Sequence, residues 1–411
     1  MARDDIEQRI RRHRTGTMSL TVMTPQRRPL ANAEVTVRQT RHRFLFGCNI
    51  FRLGLHEDTA CEAEYCRRFT DLLNFATLPY YWGRYEPREG ETNAERLTWM
   101  ARWCVEHGIT PKGHPLCYHM TAPAWLSDRS FAQIKAAQFS RITREVGGFA
   151  GLVDTWDVIN ETVWTPGHEK GKHPIARLCR RLGRVGLVKQ TFELARQANP
   201  AAKLIINDCD PVPAYARLVR KSLAAGAPID IVGIQSHMHK GYWGAEKTWR
   251  VCEEYSRHGK PIHFSELTIL SGIIQQNHSW KDRRADWFTT PEGEELQAQQ
   301  VSEFYRLLFS HPSVQAITWW DFADDGAWLG APAGMLRKDM SPKPAYDALM
   351  RLVKGEWWTG KLALRTDARG RVEFNGFLGD YTVEAGGDAG SFALADAGQS
   401  EKTVALRGRK E

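Results

Sequence analysis

Asp154-Thr155-Trp156-Asp157-Val158-Ile159-Asn160-Glu161 is a short apolar run that ends in an amide and a carboxylate. Its aromatic and β-branched residues predict a strand buried on both faces, and Glu161 stands where that strand runs out. A second stretch, Pro261-Ile262-His263-Phe264-Ser265-Glu266, repeats the design. Two further strand-plus-helix units lie between them, so both acids are expected on one rim of a parallel barrel. Either glutamate alone would read as a surface residue at the start of a loop, as most glutamates are. The pair, with its neighbours, carries the argument.

Outward from these stretches, strand and helix alternate from Phe44 to about Val353. Eight strands are expected, at 43–49, 71–77, 108–115, 154–160, 203–207, 229–235, 261–266 and 314–320, with helices after most of them, for example 177–199 and 297–310. No G-x-G-x-x-G or phosphate loop occurs, which disfavours an open doubly wound sheet. The fold class expected is α/β, a (β/α)8 TIM barrel with small β elements at both termini. Barrels of this class place reactive groups at the C-terminal ends of their strands. The predicted strands end in His114 to His119, Asn160-Glu161, Asn207-Asp208, Gln235-Ser236-His237, Glu266 and Trp319-Trp320-Asp321.

Three segments follow. Residues 1–42 read as a charged helix and a small β element with strands at 18–22 and 33–37. Residues 43–355 form the barrel. Residues 356–411 read as a small β domain, with alternating strands at 362–365, 372–374 and 380–383, forming a sandwich that the N-terminal strands could complete. A structural cap is the favoured role over a carbohydrate-binding module, because this tail lacks clustered aromatics.

Bulk properties narrow the function classes. No apolar run approaches the ~20 residues that span a bilayer. Met1-Ala2-Arg3-Asp4-Asp5 is too charged for a secretory leader. The expectation is therefore a cytoplasmic chain, or a secreted or periplasmic one whose leader has been removed. The eight cysteines include no C-x-x-C pair, so neither a zinc site nor a disulfide scaffold is implied, and no cofactor is expected. The net charge of +8 and the basic stretch at 9–14 fit a solvated helix face better than a nucleic-acid site. The fifteen tryptophans suit a core, and also stacking on the C–H faces of sugars. A carboxylate pair on one rim is what retaining cleavage of a glycosidic bond requires: one acid to protonate the leaving oxygen and one carboxylate to attack the anomeric carbon.

Five blocks carry a resemblance. Gly113-His114 with His119, Trp156-Asp157-Val158-Ile159-Asn160-Glu161, Gly233-Ile234-Gln235-Ser236-His237, Ser265-Glu266-Leu267, and Ile317-Thr318-Trp319-Trp320 with Asp324 and Trp328 resemble, in order and spacing, the signature blocks of glycoside hydrolase family 10, the endo-β-1,4-xylanases. The resemblance implies a retaining, metal-independent glycoside hydrolase with Glu161 as acid/base and Glu266 as nucleophile, acting on a polysaccharide or oligosaccharide. It implies that Asn160 and His114 hydrogen-bond the sugar, that Gln235 and His237 flank the two acids, and that Trp320 and Trp328 line the −1 subsite. For His114, His119 and His237 the alternative is a satisfied structural histidine, and for the two tryptophans it is core packing.

Departures bear on substrate. The family's T-P-E-N-x-x-K-W block, whose polar groups grip the −2 sugar, is replaced by a shorter segment in which Tyr80, Tyr81 and Trp82 stand instead. Tyr118 takes the place of a usual Trp, and Thr268 that of a usual Asp. Losing polar grips relaxes or redirects specificity. The expectation is a xylanase-like enzyme of altered specificity; a hydrolase of another β-glycan or decorated glycoside, and a non-catalytic glycan-binding barrel, stay open, as do chain-end versus mid-chain attack and the oligomeric state. Tyr242 and Trp243 are read equally as leaving-group contacts or as a cover on the barrel rim.

Overall fold

Strands β1 (Thr15–Met23) and β2 (Glu34–His42) lead into a closed ring of eight. The structure, a computed structural model, describes residues 3–209, 213–275, 277 and 279–408. The ring comprises β3 (Leu45–Asn49), β4 (Phe75–Pro79), β5 (Thr110–His114), β6 (Thr155–Asn160), β7 (Lys203–Asp208), β8 (Ile231–His237), β9 (Ile262–Thr268) and β10 (Val314–Trp319). Neighbours pair in chain order and β10 closes on β3, which makes a (β/α)8 barrel. Every residue of β6 and β9 is buried, as strands covered by helices on one side and packed in a barrel on the other must be.

Two elements depart from the sequence expectation. The strand expected at 71–77 starts later. Tyr65, Phe69 and Leu72 share the buried face of the helix Thr59–Leu72, so the helical period holds through Leu72. Asn74 then makes the joint: its Oδ1 accepts from the Phe46 amide at 2.8 Å and its Nδ2 donates to the His42 and Phe44 carbonyls. The helix expected at 177–199 is two helices, Pro174–Leu182 and Arg184–Ala198, broken where Gly183 adopts φ +73°.

After the barrel come β11 (Leu362–Arg365), β12 (Arg371–Phe377), β13 (Gly379–Ala385), β14 (Asp388–Leu394) and β15 (Gly398–Ala405). The first two strands join them in two small sheets. One has the order β12-β1-β15, and the other contains β11-β2-β13-β14. Met18, Leu20, Val22, Val35, Val37, Phe374 and Tyr381 meet in a core between the sheets. This sandwich, and the helix Arg3–Arg14 that leads into it, are bonded to the end of the barrel where strands begin. Arg14 donates to the carbonyls of Phe309, His311 and Val314 at 2.6–2.7 Å, and Arg41 donates to the carbonyl of Asn74. No helix among the described residues is long and apolar enough to cross a membrane.

Candidate active site

The barrel mouth is the end where β3 to β10 run out. Glu161 follows β6 directly and holds φ +53°, a left-handed turn that its amide fixes by donating to the Asn207 carbonyl at 2.9 Å. Its Oε1 accepts from the Tyr118 hydroxyl at 3.0 Å and, more weakly at 3.4 Å, from Asn160 and Gln235. Burial, and then the Glu266 charge, push the Glu161 carboxyl up to about 7. Glu161 therefore keeps its proton through the mildly acidic range and is about half protonated at pH 7.

Glu266 lies inside β9 and is 4% exposed. The β8–β9 register slips between Ile234 and Gln235, pairing Ile234 with Phe264 but Gln235 with Glu266. A regular strand would turn Ser265 and Glu266 to opposite faces; the bulge lets both reach the same side chain. That side chain is Asn207. Its Nδ2 donates to Glu266 Oε1 at 2.7 Å and to Asn160 Oδ1 at 2.8 Å, while its Oδ1 accepts from the Ser265 hydroxyl at 2.6 Å. His237 Nε2 donates to the other carboxylate oxygen at 3.0 Å, and His237 Nδ1 meets the Thr268 hydroxyl at 2.9 Å. Burial alone would raise Glu266, but the His114 and His237 imidazoles outweigh it and hold the carboxyl below the usual range. Two carboxyls in one mouth thus have opposite protonation preferences.

His114 is fixed from beneath. Asp157 Oδ2 accepts from His114 Nδ1 and from Lys112 Nζ, each at 2.7 Å, and all three residues are at most 1% exposed. Burial would raise Asp157, but Lys112 and His114 reverse it and keep it ionised. His114 Nε2 then faces Glu266 at 3.9 Å. Trp320 packs edge-on against His114 and His237, and Trp328 packs on His237 with ring centroids 4.7 Å apart.

The structure brings together Glu161, Glu266, Asn160, His114, Gln235, His237, Trp320 and Trp328. His119 lies one layer out: it is buried, bonds Thr165 at 3.0 Å and packs against Tyr118. The three aromatics after β4 divide. Tyr81 faces the mouth, where burial and then the Glu266 and Glu161 charges raise its phenol. Tyr80 (0% exposed) and Trp82 (3%) point away instead. Tyr80 packs on Trp156, Tyr85 and Phe149. Trp82 donates to Glu86 at 2.8 Å and lies under the Arg141 guanidinium. Tyr242 and Trp243 rest against Phe304 of the helix Pro291–Ser310.

Sequence reasoning passed over Asn207, Lys112 and Asp157 as site residues. Asn207 was legible as a polar residue at the end of the fifth barrel strand, the same signal that marked Glu266. Lys112 precedes His114 by two positions and so shares its strand face, but a buried lysine is unexpected without its partner in view. Among the described residues, no group of three or more His, Cys, Asp or Glu is placed to hold a metal ion.

A (β/α)8 barrel with two carboxylates in its mouth, one buried and one half-buried, is the architecture of a hydrolytic barrel family. The chain belongs to Glycosyl hydrolase family 10, whose profile matches residues 59–352. It is 29% identical over 260 residues to endo-1,4-beta-xylanase B of Paenibacillus barcinonensis, covering 59% of this chain and 74% of that protein. It is 28% identical over 281 residues to an endo-1,4-beta-xylanase/feruloyl esterase of Xylanibacter ruminicola, covering 63% of this chain and 39% of that protein. The anti-sigma-I factor RsgI6 of Acetivibrio thermocellus aligns at 24% identity over 92% of this chain. The chain spans 39% and 46% of the lengths of the Xylanibacter and Acetivibrio proteins. In fold it matches the native xylanase 10B of Thermotoga maritima with a TM-score of 0.64 at 20% identity, over 76% of this chain and 96% of that one.

Proposed function

We propose that the protein is a retaining, xylanase-like β-glycoside hydrolase with altered recognition of the glycone. The observation that carries this reading is the single hydrogen-bond network that joins both carboxylates: Asn207 grips Glu266 and Asn160, and Gln235 reaches from Asn160 to Glu161. In the first step Glu161, protonated, gives its proton to the leaving oxygen while Glu266, ionised, attacks the anomeric carbon to form a glycosyl ester. In the second, Glu161 as carboxylate takes a proton from water, which attacks the ester and frees Glu266. Asn160, with its Oδ1 occupied by Asn207 and Gln235, presents its amide N–H to a sugar hydroxyl. His114 and His237 keep the nucleophile charged, and Trp320 and Trp328 supply ring faces for the −1 sugar. The names of the xylanase relatives support a β-linked polysaccharide or oligosaccharide as the substrate. Altered glycone recognition rests on Tyr81, which faces the mouth from the segment where the family carries polar grips.

The test is a panel of β-linked polysaccharides and aryl β-glycosides, with products sized by mass spectrometry. Glu266→Ala and Glu161→Ala should each lower turnover by at least a hundredfold; near-full activity in either variant overturns the assignment. A second reading, a barrel that binds glycans without cutting them, draws on the relative that aligns over 92% of the chain and is named an anti-sigma factor. Binding of a panel glycan with no cleavage would favour it.

A further inference from the structure

The barrel mouth has two unlike halves. The contiguous strands β6 to β9 supply amides, an imidazole and acids: Asn160 and Glu161, Asn207, Gln235 and His237, and Glu266. The other four, β10, β3, β4 and β5, are also contiguous in the ring, and each carries an aromatic or imidazole ring at its last residue or within two residues beyond it: Trp320, Phe51, Tyr81 and His114. These rings form a closed quartet. Phe51 meets Tyr81 at 5.8 Å between centroids, Tyr81 meets His114 at 5.4 Å, His114 meets Trp320 at 5.3 Å, and Trp320 meets Phe51 at 5.5 Å. All four contacts are edge-to-face, with interplanar angles of 77–85°. A sugar lying between two ring faces would need a van der Waals gap on each side, roughly 7–8 Å in all. The quartet is packed too closely to admit one.

The quartet is also clamped. Arg52, next to Phe51, bonds Asp325 beyond β10 at 2.6 Å. Its side chain crosses Gly326 so closely that a Cβ there would lie 2.8 Å from Arg52 Cδ. Asn49, at the end of β3, donates to the Trp320 carbonyl. These contacts join the loops after β3 and β10, so Phe51 and Trp320 hold their places together.

Position gives the quartet its meaning. His114 adjoins Glu266 at 3.9 Å, so the quartet borders the seat of the sugar that the nucleophile attacks. Glu161 stands on the other half of the mouth, and the group it protonates leaves on that side, where the loop after β6 also carries the exposed Trp164. The glycone therefore extends toward the rings. We propose that the Phe51–Tyr81–His114–Trp320 quartet ends the glycone side after a single sugar, so that the enzyme removes one residue at a time from the non-reducing chain end. This inference rests on the hydrolase reading above and specifies its mode of attack.

The experiment compares the wild-type enzyme on an aryl β-xyloside and the matching aryl β-xylobioside, with the glucoside and cellobioside as a parallel pair. It also follows reducing-end-labelled xylohexaose by mass spectrometry. The monoglycoside should be cleaved with kcat/KM at least equal to that of the bioside, and the labelled chain should shorten by one sugar at a time. Phe51→Ala and Tyr81→Ala should raise the bioside-to-monoglycoside ratio of kcat/KM at least tenfold. Internal cutting by the wild type, with di- and trisaccharides as first products, overturns the inference. A 2-deoxy-2-fluoro aryl glycoside separates the two levels of failure. Covalent labelling of Glu266 together with internal cutting sinks the chain-end inference alone, whereas no labelling and no hydrolysis of any substrate sinks the hydrolase reading and this inference with it.

Discussion

Glu161 is under two strains at once. At φ +53° it occupies backbone space that costs a residue with a Cβ about 1 kcal/mol or more. Its carboxyl is also largely desolvated beside a second one, which moves it from 4.5 to about 7. At 1.36 kcal/mol per unit that is of the order of 3 kcal/mol. The sign is fixed by which state ionises first. Below pH 4.5 folded and unfolded chains both keep the proton and nothing is lost. Between 4.5 and 7 the unfolded chain gives it up first, so stability falls as pH rises, and above 7 the full penalty stands. Glu161→Gln should therefore melt near the wild type at pH 4 and higher than it at pH 8, while wild-type kcat/KM should decline above about pH 7. Equal melting temperatures at pH 8 would contradict the burial of this acid. Single residues were unevenly legible in the sequence. Both glutamates declared themselves by ending apolar strands, whereas Tyr80, Tyr81 and Trp82 could not be separated, because strand β4 gives way there to one helical turn and alternation no longer says which ring faces inward. Phe51, a hydrophobic residue in a loop, carried no signal at all.

At the scale of the element, the bulge in β9 is what turns a strand into half of the candidate site. It works only if Asn207 stays put, and Asn207 stays put only because Gly233 on the adjacent strand has no side chain: a Cβ there would lie 2.5 Å from Asn207 Oδ1 and 3.0 Å from Ile205 Cγ2. Gly233→Ala should push Asn207 off Glu266 and Asn160, lowering kcat at least tenfold and costing about 1–3 kcal/mol in thermal unfolding. Unchanged kcat would mean that Asn207 is a bystander. The eight strands were readable because parallel strands buried on both faces leave continuous apolar runs with polar ends. Their exact starts were less so: Leu72 and Leu73 suit either a helix face or a strand, and the side chain of Asn74, bonded to three backbone groups of the neighbouring segment, decides between them. The bulge left no trace, since Ser265-Glu266 reads as ordinary alternation.

Across the whole molecule, the sandwich takes strands from both ends of the described chain. β2 pairs with β11 and β13, and β1 with β12 and β15, so removing residues 356–411 would strip both early strands of partners. Met18, Leu20, Val22, Val35 and Val37 would then face water, at about 1.5–3 kcal/mol for each large side chain. The truncated protein should melt about 10 °C lower or more, or fail to appear in the soluble fraction; an unchanged melting temperature would show that the barrel stands without its clasp. The same pairing has a consequence in time. Val37 waits for Leu362, and at ribosomal speed that interval is of the order of tens of seconds, during which the first two strands emerge with apolar faces and no neighbours. The barrel is thus synthesised inside an unfinished sandwich, and the closing of the sandwich's last strands reports that the barrel has been translated to its end.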